Sequence, residues 1–320
     1  MGMSDLHESD GQSVVLLTGG SGLIGRYLTS LLLSRRYKVS HLSRTGAAIK
    51  GVRVFKWDPE RKTVDPKAFE GVRVIIHLAG ANIGEKRWTS ARRKEIMTSR
   101  VDSSILIFDH IRKSPGVLTT FISASATGYY GTHTSEKIYE ETDPPARDFL
   151  GTTCRLWEEA ADLFTGLGIR SVKIRTALVL EKNDSALSRL LKPAQYGLVL
   201  RLGSGHQYMP WIHIDDICGI YLKAVTDDKM KGAYNAVAPY HTDNNNFIRT
   251  MAKVIRKQVI LPPVPSILIR SVLGERASIV LKGCRVSDEK ILAAGYSFIY
   301  PDLEKALINA IYGNIIPFLK

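Results

Sequence analysis

The stretch Val14-Val15-Leu16-Leu17-Thr18-Gly19-Gly20-Ser21-Gly22-Leu23-Ile24-Gly25 constrains this chain more than any other. An apolar run of strand character ends in a glycine-rich turn, which passes directly into a helix-forming segment, residues 26–36. A strand, a turn and a helix in that order, with glycines at these spacings, suit a dinucleotide. Gly19 permits the tight turn, Gly22 lets the backbone approach a pyrophosphate, and Gly25 lets the helix pack close on the strand. The amides around Ser21, Leu23 and Ile24, at the positive end of the helix dipole, would hold the phosphate charge.

The rest of the chain narrows the surroundings of such a site. At 320 residues and 44% apolar content it can fill a sizeable core in one large domain, or one and a half. No apolar run approaches the roughly 20 residues of a membrane span, so no membrane partner is expected. Residues 1–12 are polar and acidic, which suggests a disordered leader or tag remnant rather than a signal peptide. Cys154, Cys218 and Cys284 lie far apart without metal spacing. That pattern points to the reducing cytoplasm, with no disulfide scaffold and no metal site. The net charge of +13 is spread along the chain, with only short clusters such as Arg92-Arg93-Lys94. Without an aromatic-interleaved basic stripe, nucleic acid is not an expected partner. A basic surface of this kind either attracts phosphorylated ligands or is simply solvated.

Periodicity predicts further strands at residues 38–44, 52–57, 72–78, 117–123 and 171–174. It predicts helices at 88–112, with Ile96, Val101, Ile105 and Phe108 as core positions, and at 150–167. Strands alternating with helices make this an α/β chain with a doubly wound parallel sheet of the Rossmann type. Ligands of such sheets bind at the carboxyl ends of the strands. Beyond Glu181 the alternation weakens. A helix and the loop Gly203-Ser204-Gly205 fall within 182–208, a helix at 214–225, and a strand at 233–237. Pro262-Pro263-Val264-Pro265 then punctuates the chain before a helical tail. The expected organisation is a dinucleotide-binding domain, 13–180 plus 214–238, and a smaller, mostly helical substrate lobe, 181–213 plus 239–320. No internal repeat is visible, and a homodimer is left open.

The strand ends carry the candidate chemistry. About 20 residues past the glycine turn, where an NAD enzyme places an acid for the ribose 2′-hydroxyl, the chain has Ser43-Arg44-Thr45. An arginine fork suits a 2′-phosphate and favours NADP over NAD. Asp58, in Trp57-Asp58-Pro59, either accepts from an adenine amino group or merely starts a turn. Leu78-Ala79-Gly80-Ala81-Asn82 supplies small residues where the chain must pass close to the cofactor, with Asn82 toward a small-molecule substrate.

These segments, with Ser123-Ala124-Ser125-Ala126-Thr127-Gly128-Tyr129-Tyr130-Gly131, resemble the extended short-chain dehydrogenase/reductase superfamily. Arg87-Trp88-Thr89, Ser99-Arg100-Val101, Trp157-Glu158 and Trp211-Ile212-His213-Ile214-Asp215-Asp216 resemble its epimerase-family branch, sometimes labelled cell-division inhibitors. Pro263-Val264-Pro265, Leu273-Gly274-Glu275 and Ala294-Gly295-Tyr296-Ser297-Phe298 resemble the small C-terminal domain of that branch. The resemblance implies an NADP-dependent reductase or nucleotide-sugar-epimerase-type hydride transfer, with Arg100 among the cofactor contacts. It also implies a Ser or Thr after the fifth strand and a Tyr-x-x-x-Lys on the next helix, the lysine drawing the tyrosine pKa down from about 10. Ser125 fits the first position, but the other two fall on Leu150 and Cys154. The proton donor would then be Tyr129 or Tyr130, unless that loop simply packs over the nicotinamide. Tyr139 is a poorer candidate, because Lys137 precedes it. The alternative is a non-catalytic NADP-binding sensor or scaffold. Trp211 and His213 lie where a substrate would enter, and His213 is a general base or a structural histidine. Asp215 or Asp216 would cap the following helix. Arg175 would hold a substrate anion or an internal carboxylate. Trp157 is expected in the core and Glu158 as a solvated or capping charge.

Overall fold

β-Branched and leucine residues at 14–18 form β1 (Val14–Thr18), and its last four residues are sealed from solvent. A computed structural model describes residues 13–46, 49–183 and 185–313; the expected leader, residues 1–12, lies outside them. The strands that follow are β2 (Lys38–Ser43), β3 (Val52–Asp58), β4 (Thr63–Val64), β5 (Val72–His77), β6 (Thr120–Ala126) and β7 (Ile138–Tyr139). Next come β8 (Arg170–Thr176), β9 (Leu178–Leu180), β10 (Val199–Leu202), β11 (Trp211–His213), β12 (Gly232–Ala236), β13 (Val259–Val264) and β14 (Arg285–Val286). The helices that build the core are α1 (Leu23–Ser34), α2 (Ser90–Lys113), α3 (Phe149–Asp162), α4 (Ala186–Gln195) and α5 (Ile214–Thr226). The C-terminal part adds α6 (Asn244–Val254), α7 (Ser266–Leu273), α8 (Ala277–Leu281), α9 (Glu289–Ala293) and α10 (Leu303–Tyr312).

One eight-stranded sheet runs in the order β12-β8-β6-β5-β1-β2-β3-β4. All its pairings are parallel except that of β3 with β4. The chain builds outward from β1 through β2 and β3, then returns to β5 on the other flank. Strand order therefore reverses between β1 and β5, where an open α/β sheet leaves a crevice at its carboxyl edge. Leu28, Leu32, Ile217 and Tyr221 of α1 and α5 cover one face. Ile107, Ile111, Ala161 and Phe164, from α2, α3 and the turn after it, cover the other. Both faces are closed, as a parallel sheet requires.

Several expectations shift. The stripe of α2 that enters the core is Ile96, Ser103, Ile107 and Ile111; Val101, Ile105 and Phe108 are only half-buried. The fifth strand begins at Thr120, three residues later than its pattern suggests, and reaches Ala126. The proline-rich segment is no mere punctuation. Residues 259–264 form β13, which pairs in parallel with β10 through a shifted register. A two-stranded ribbon has outer edges where missing amides cost nothing. Likewise β7 pairs with β14, and β9 with β11, so the helical C-terminal portion carries small ribbons as well.

The junction between the two parts turns on α5. The side chain of His213, rather than Asp215 or Asp216, caps this helix, Nδ1 accepting from the Asp215 amide at 3.2 Å. Asp216, wholly buried, instead receives the amides of Ile299 at 2.7 Å and Tyr300 at 3.0 Å, and the hydroxyl of Tyr296 at 3.0 Å. Its carboxylate is thus the acceptor that ties the C-terminal segment to α5. Each buried donor left unmatched costs about 1–3 kcal/mol. Asp216→Ala is therefore expected to lower unfolding free energy by roughly 3 kcal/mol or more, read from the urea midpoint at unchanged slope.

Candidate functional site: a dinucleotide cleft

The turn after β1 is as tight as its glycines allow. Gly19 adopts φ +68°, and a Cβ there would lie 2.9 Å from the Ala79 amide. At Gly25 a Cβ would lie 2.3 Å from the Gly19 carbonyl oxygen, so only glycine lets α1 rest on the turn. Gly22 is the N-cap of α1, with no side-chain cap and no acid in the first turn, which leaves the first amides facing the turn. Beneath it, Thr18 Oγ1 accepts the amides of Leu78 and Ala79, each at 3.1 Å, and meets His77 Nδ1 at 2.8 Å. His77 Nε2 in turn meets the Ser103 hydroxyl at 3.0 Å. One threonine thereby joins the ends of β1 and β5 to α2.

Over this floor lies a cleft of about 1210 Å³, lined by Gly19, Ser21, Gly22, Ser43, Arg44, Leu78, Ala79, Gly80 and Asn82 among others. Arg44 stands exposed at the end of β2, and Lys50 lines the same wall. Leu23 and Ile24 instead pack half-buried on the core below the turn. Asp58 turns away from the cleft: its Oδ1 accepts the amides of Glu60 at 3.0 Å and Arg61 at 3.1 Å, the turn role of the two open for it. Asn82 uses its Oδ1 on the Gly84 amide at 2.9 Å, while its carbonyl accepts from Arg92 at 2.6 Å. The Gly84 carbonyl accepts from both Arg189 of α4 and Arg276, at 2.8 and 3.0 Å, which pins this loop to the C-terminal part. The glycines, the open volume and the basic rim together leave room for a dinucleotide.

The residues expected to do chemistry lie at the end of β6 and in the turn after it, and Ser125, Tyr129 and Tyr130 are not among those that line the cleft. Gly128 faces Leu150 and Cys154: a Cβ on it would lie 3.5 Å from Leu150 Cβ and 3.9 Å from Cys154 Sγ. Burial pushes the Cys154 thiol up to about 12, which leaves it neutral. The Ser125 hydroxyl donates to Glu158 at 2.6 Å. Glu158 is not a surface charge: it is 6% exposed and forms a bidentate pair with Arg175, both contacts at 2.8 Å. Arg175 thus holds an internal carboxylate, and it also donates to Tyr130 Oη at 2.8 Å. Tyr130 donates onward to Asn235 at 2.7 Å and is 1% exposed. Tyr129 is half-buried, its ring stacked on Arg175 with the guanidinium carbon 3.5 Å from the ring centre. Trp211 and His213 are enclosed, His213 packing its ring 4.0 Å from that of Tyr300. Tyr139 sits in β7, paired with β14 and in contact with His133 through its hydroxyl.

Comparison with known proteins assigns this arrangement. Residues 15–237 match the model of the NAD dependent epimerase/dehydratase family. Residues 264–310 match a domain of unknown function, DUF1731. The chain belongs to the NAD dependent epimerase/dehydratase family. Among its relatives, the human epimerase family protein SDR39U1 is 33% identical over 92% of this chain and 98% of its own length. The Bacillus subtilis epimerase family protein YfhF is 31% identical over 93% of this chain and 97% of its own. A crystal structure of human SDR39U1 (isoform 2) with NADPH superposes with a TM-score of 0.82 at 31% identity, covering 93% of this chain and 98% of that one. The cofactor of the family is a nicotinamide dinucleotide, and the cleft described above is shaped for it.

Some features of the site escape a reading of the sequence. His41 lines the cleft with its ring so close to Gly20 that a Cβ there would lie 2.2 Å away, and it meets the Thr29 hydroxyl at 2.9 Å. His77, Glu158 and Asn235 are likewise polar residues placed inside by partners 12 to 105 positions away, as the pairs of His41 and Tyr130 show. The usable signal is a polar residue within an apolar run, as His77 is between Ile76 and Leu78. Burial lowers the pKa of His41, His77 and His213 from 6.5 to about 4. As pH falls between those values the unfolded chain takes up protons that the folded one refuses. Stability is therefore full above pH 6.5 and declines toward pH 4, by up to about 3 kcal/mol per histidine, visible as a falling Tm in a pH series.

Proposed function

We propose that this protein binds NADP(H) and catalyses a reductase- or epimerase-type hydride transfer on a small carbonyl or sugar-like substrate. The observation that carries the reading is Arg44 at the mouth of the cleft, with Ser43 beside it in the wall and no acid at the end of β2. A guanidinium there complements a 2′-phosphate and would repel nothing in it. The human relative crystallised with NADPH supports the same choice. When bound, the nicotinamide supplies the hydride; the protein supplies orientation and a route for the proton.

Ser125 and Tyr130 spend their hydroxyls on Glu158 and Asn235. Tyr129 is the other tyrosine of the loop, half-buried beside the Arg175 charge, and we assign the proton to it. Burial raises its pKa while Arg175 opposes the rise. It therefore enters as an acid, protonated through the neutral range. The substrate would meet Tyr129 between the sheet and the C-terminal lobe. The cytoplasm suits the protein: its three cysteines are free and buried, and no helix among the described residues is long and apolar enough to cross a membrane.

A second reading, an NADP-dependent sensor without turnover, is favoured by Leu150 and Cys154 beside Gly128. Stereospecific transfer of label from NADPH to members of a carbonyl library, reduced about a hundredfold or more in Tyr129→Phe, separates the two, a hundredfold being the low end for a lost general acid. Label transfer undiminished in Tyr129→Phe would remove Tyr129 from the mechanism, and no transfer with any substrate would leave the sensor. The cofactor choice is checked by titration. NADPH is expected to bind about tenfold or more tightly than NADH, and Arg44→Ala to erase most of that preference, as for one charge-assisted contact. Equal affinities in the parent protein would defeat the choice of NADP.

A further inference from the structure

We propose that α7 docks this protein on the surface of an anionic lipid bilayer, its exposed aliphatic ridge entering the headgroup layer and a rim of cations meeting the lipid charge. The proposal is independent of the NADP(H) reading. Ile267, Leu268 and Val272 of α7 are 73%, 55% and 69% exposed. Among the described residues, no valine, leucine or isoleucine is more exposed than Ile267 and Val272. At about 100° per residue, these three and Ser271 share an arc of roughly 140° on the helix. Ile269, 7% exposed, and half-buried Leu273 turn inward on the opposite arc. An ordinary amphipathic helix gives one apolar stripe to the core and polar residues to water. Here a second apolar arc faces outward, and nothing among the described residues covers it. The helix is also held firmly. Arg87 donates to the Ser271 carbonyl at 3.2 Å, Arg93 pairs with Glu275 just beyond α7, and Arg276 reaches the Gly84 carbonyl at 3.0 Å.

The surroundings of the ridge are cationic. Residues 244–285 hold eight lysines and arginines against one acid, Glu275, a net +7 of the chain's +13, so the charge is less evenly spread than the sequence as a whole suggests. Arg87 and Arg270 stand exposed beside the ridge, and so does Lys282. Leu281, before Lys282, meets Ser266 at the start of α7 over Gly203, where a Cβ would lie 2.8 Å from Leu281 Cδ2 and 3.9 Å from Ser266 Cβ. Among the described residues none of these three cations has an ion-pair partner, and Glu275 is taken by Arg93. The ridge borders neither the dinucleotide cleft nor the smaller hollow between α4 and α10, so it offers a peptide no groove. A second copy is a poor occupant as well. Two-fold pairing sets the same patch on itself, cations against cations, and a stable interface takes about 20–30 residues from each side. A bilayer takes a protruding aliphatic ridge into its interfacial layer, and its anionic headgroups attract each lysine or arginine near the surface. Docking of this kind needs no spanning run, whose lack is the sequence's only argument against a membrane partner.

Sedimentation with vesicles tests the assignment. The full-length protein is mixed with vesicles of phosphatidylcholine alone, or of phosphatidylcholine and phosphatidylglycerol in equal parts. It is expected to bind the mixed vesicles about tenfold or more tightly than the neutral ones, and less tightly as salt is added. Ile267→Ser/Leu268→Ser is expected to weaken that binding by about tenfold or more, through the loss of two large aliphatic side chains from the interface. Val272→Ser is expected to weaken it to a lesser degree, and Arg270→Gln to weaken binding to the mixed vesicles alone. Val117→Ser, which removes an aliphatic side chain 57% exposed elsewhere on the surface, is expected to change nothing. All these positions are exposed, so Tm is expected to stay at the parent value, and binding lost at unchanged Tm is not a loss of fold. Absence of binding to either kind of vesicle overturns the proposal, as does equal binding to both or undiminished binding by the α7 double variant. A parent that is dimeric in solution beside a double variant that is monomeric gives the ridge to a second copy and overturns it too.

Discussion

Helix α1 lies against the turn after β1 with no room for a single side-chain carbon, Gly25 facing the Gly19 carbonyl and Gly19 facing the Ala79 amide. Every other property of the cleft follows from that contact. It fixes where the first amides of α1 point and how near the β5 loop can come. Thr18 then holds the two strand ends at one spacing by accepting both amides of that loop. Any larger residue at these positions would push apart elements whose separation defines the cleft. The sheet supplies the frame, but the glycine contact sets the aperture.

What could be read from the sequence follows from how local each interaction is. The β1 turn, α1, the Arg44 position and the alternation of strands and helices are all written within a few residues of themselves. The family resemblance rests on such segments too. By contrast, β13 was hidden by its prolines, because its pairing with β10 is some sixty residues away and lies at a ribbon edge. Glu158 looked like a surface charge on a helix, and only Arg175 on β8 makes it internal. His213 looked like a possible base until its side chain closed on the next helical turn. The stripe of α2 was misplaced because its buried face includes Ser103 and Ser104, which hydrophobic spacing cannot find.

The Glu158–Arg175 pair also explains why catalytic assignment from motif alone is hazardous here. Two charges removed from water must satisfy one another and every remaining donor, or the site loses several kcal/mol. Ser125, Tyr130 and the Glu141 carbonyl complete that coordination. Hydroxyls that would serve a substrate in a more open site are thereby recruited to keep an ion pair solvated by protein. The region resembles an acid–base centre in its residue types while functioning, for the most part, as an internal brace joining β6, α3 and β8.

The two segments matched by separate family models are bound by more than a peptide link. Asp216 belongs to the first, and its donors Tyr296, Ile299 and Tyr300 belong to the second. In the other direction, Arg276 of the second reaches back to the Gly84 carbonyl of the first. Neither segment is therefore a transplantable module. A chimera that exchanged the C-terminal domain for an unrelated one would strand a buried carboxylate and release the loop that edges the cofactor cleft. A substitution in either segment at these contacts has to be accommodated by the other.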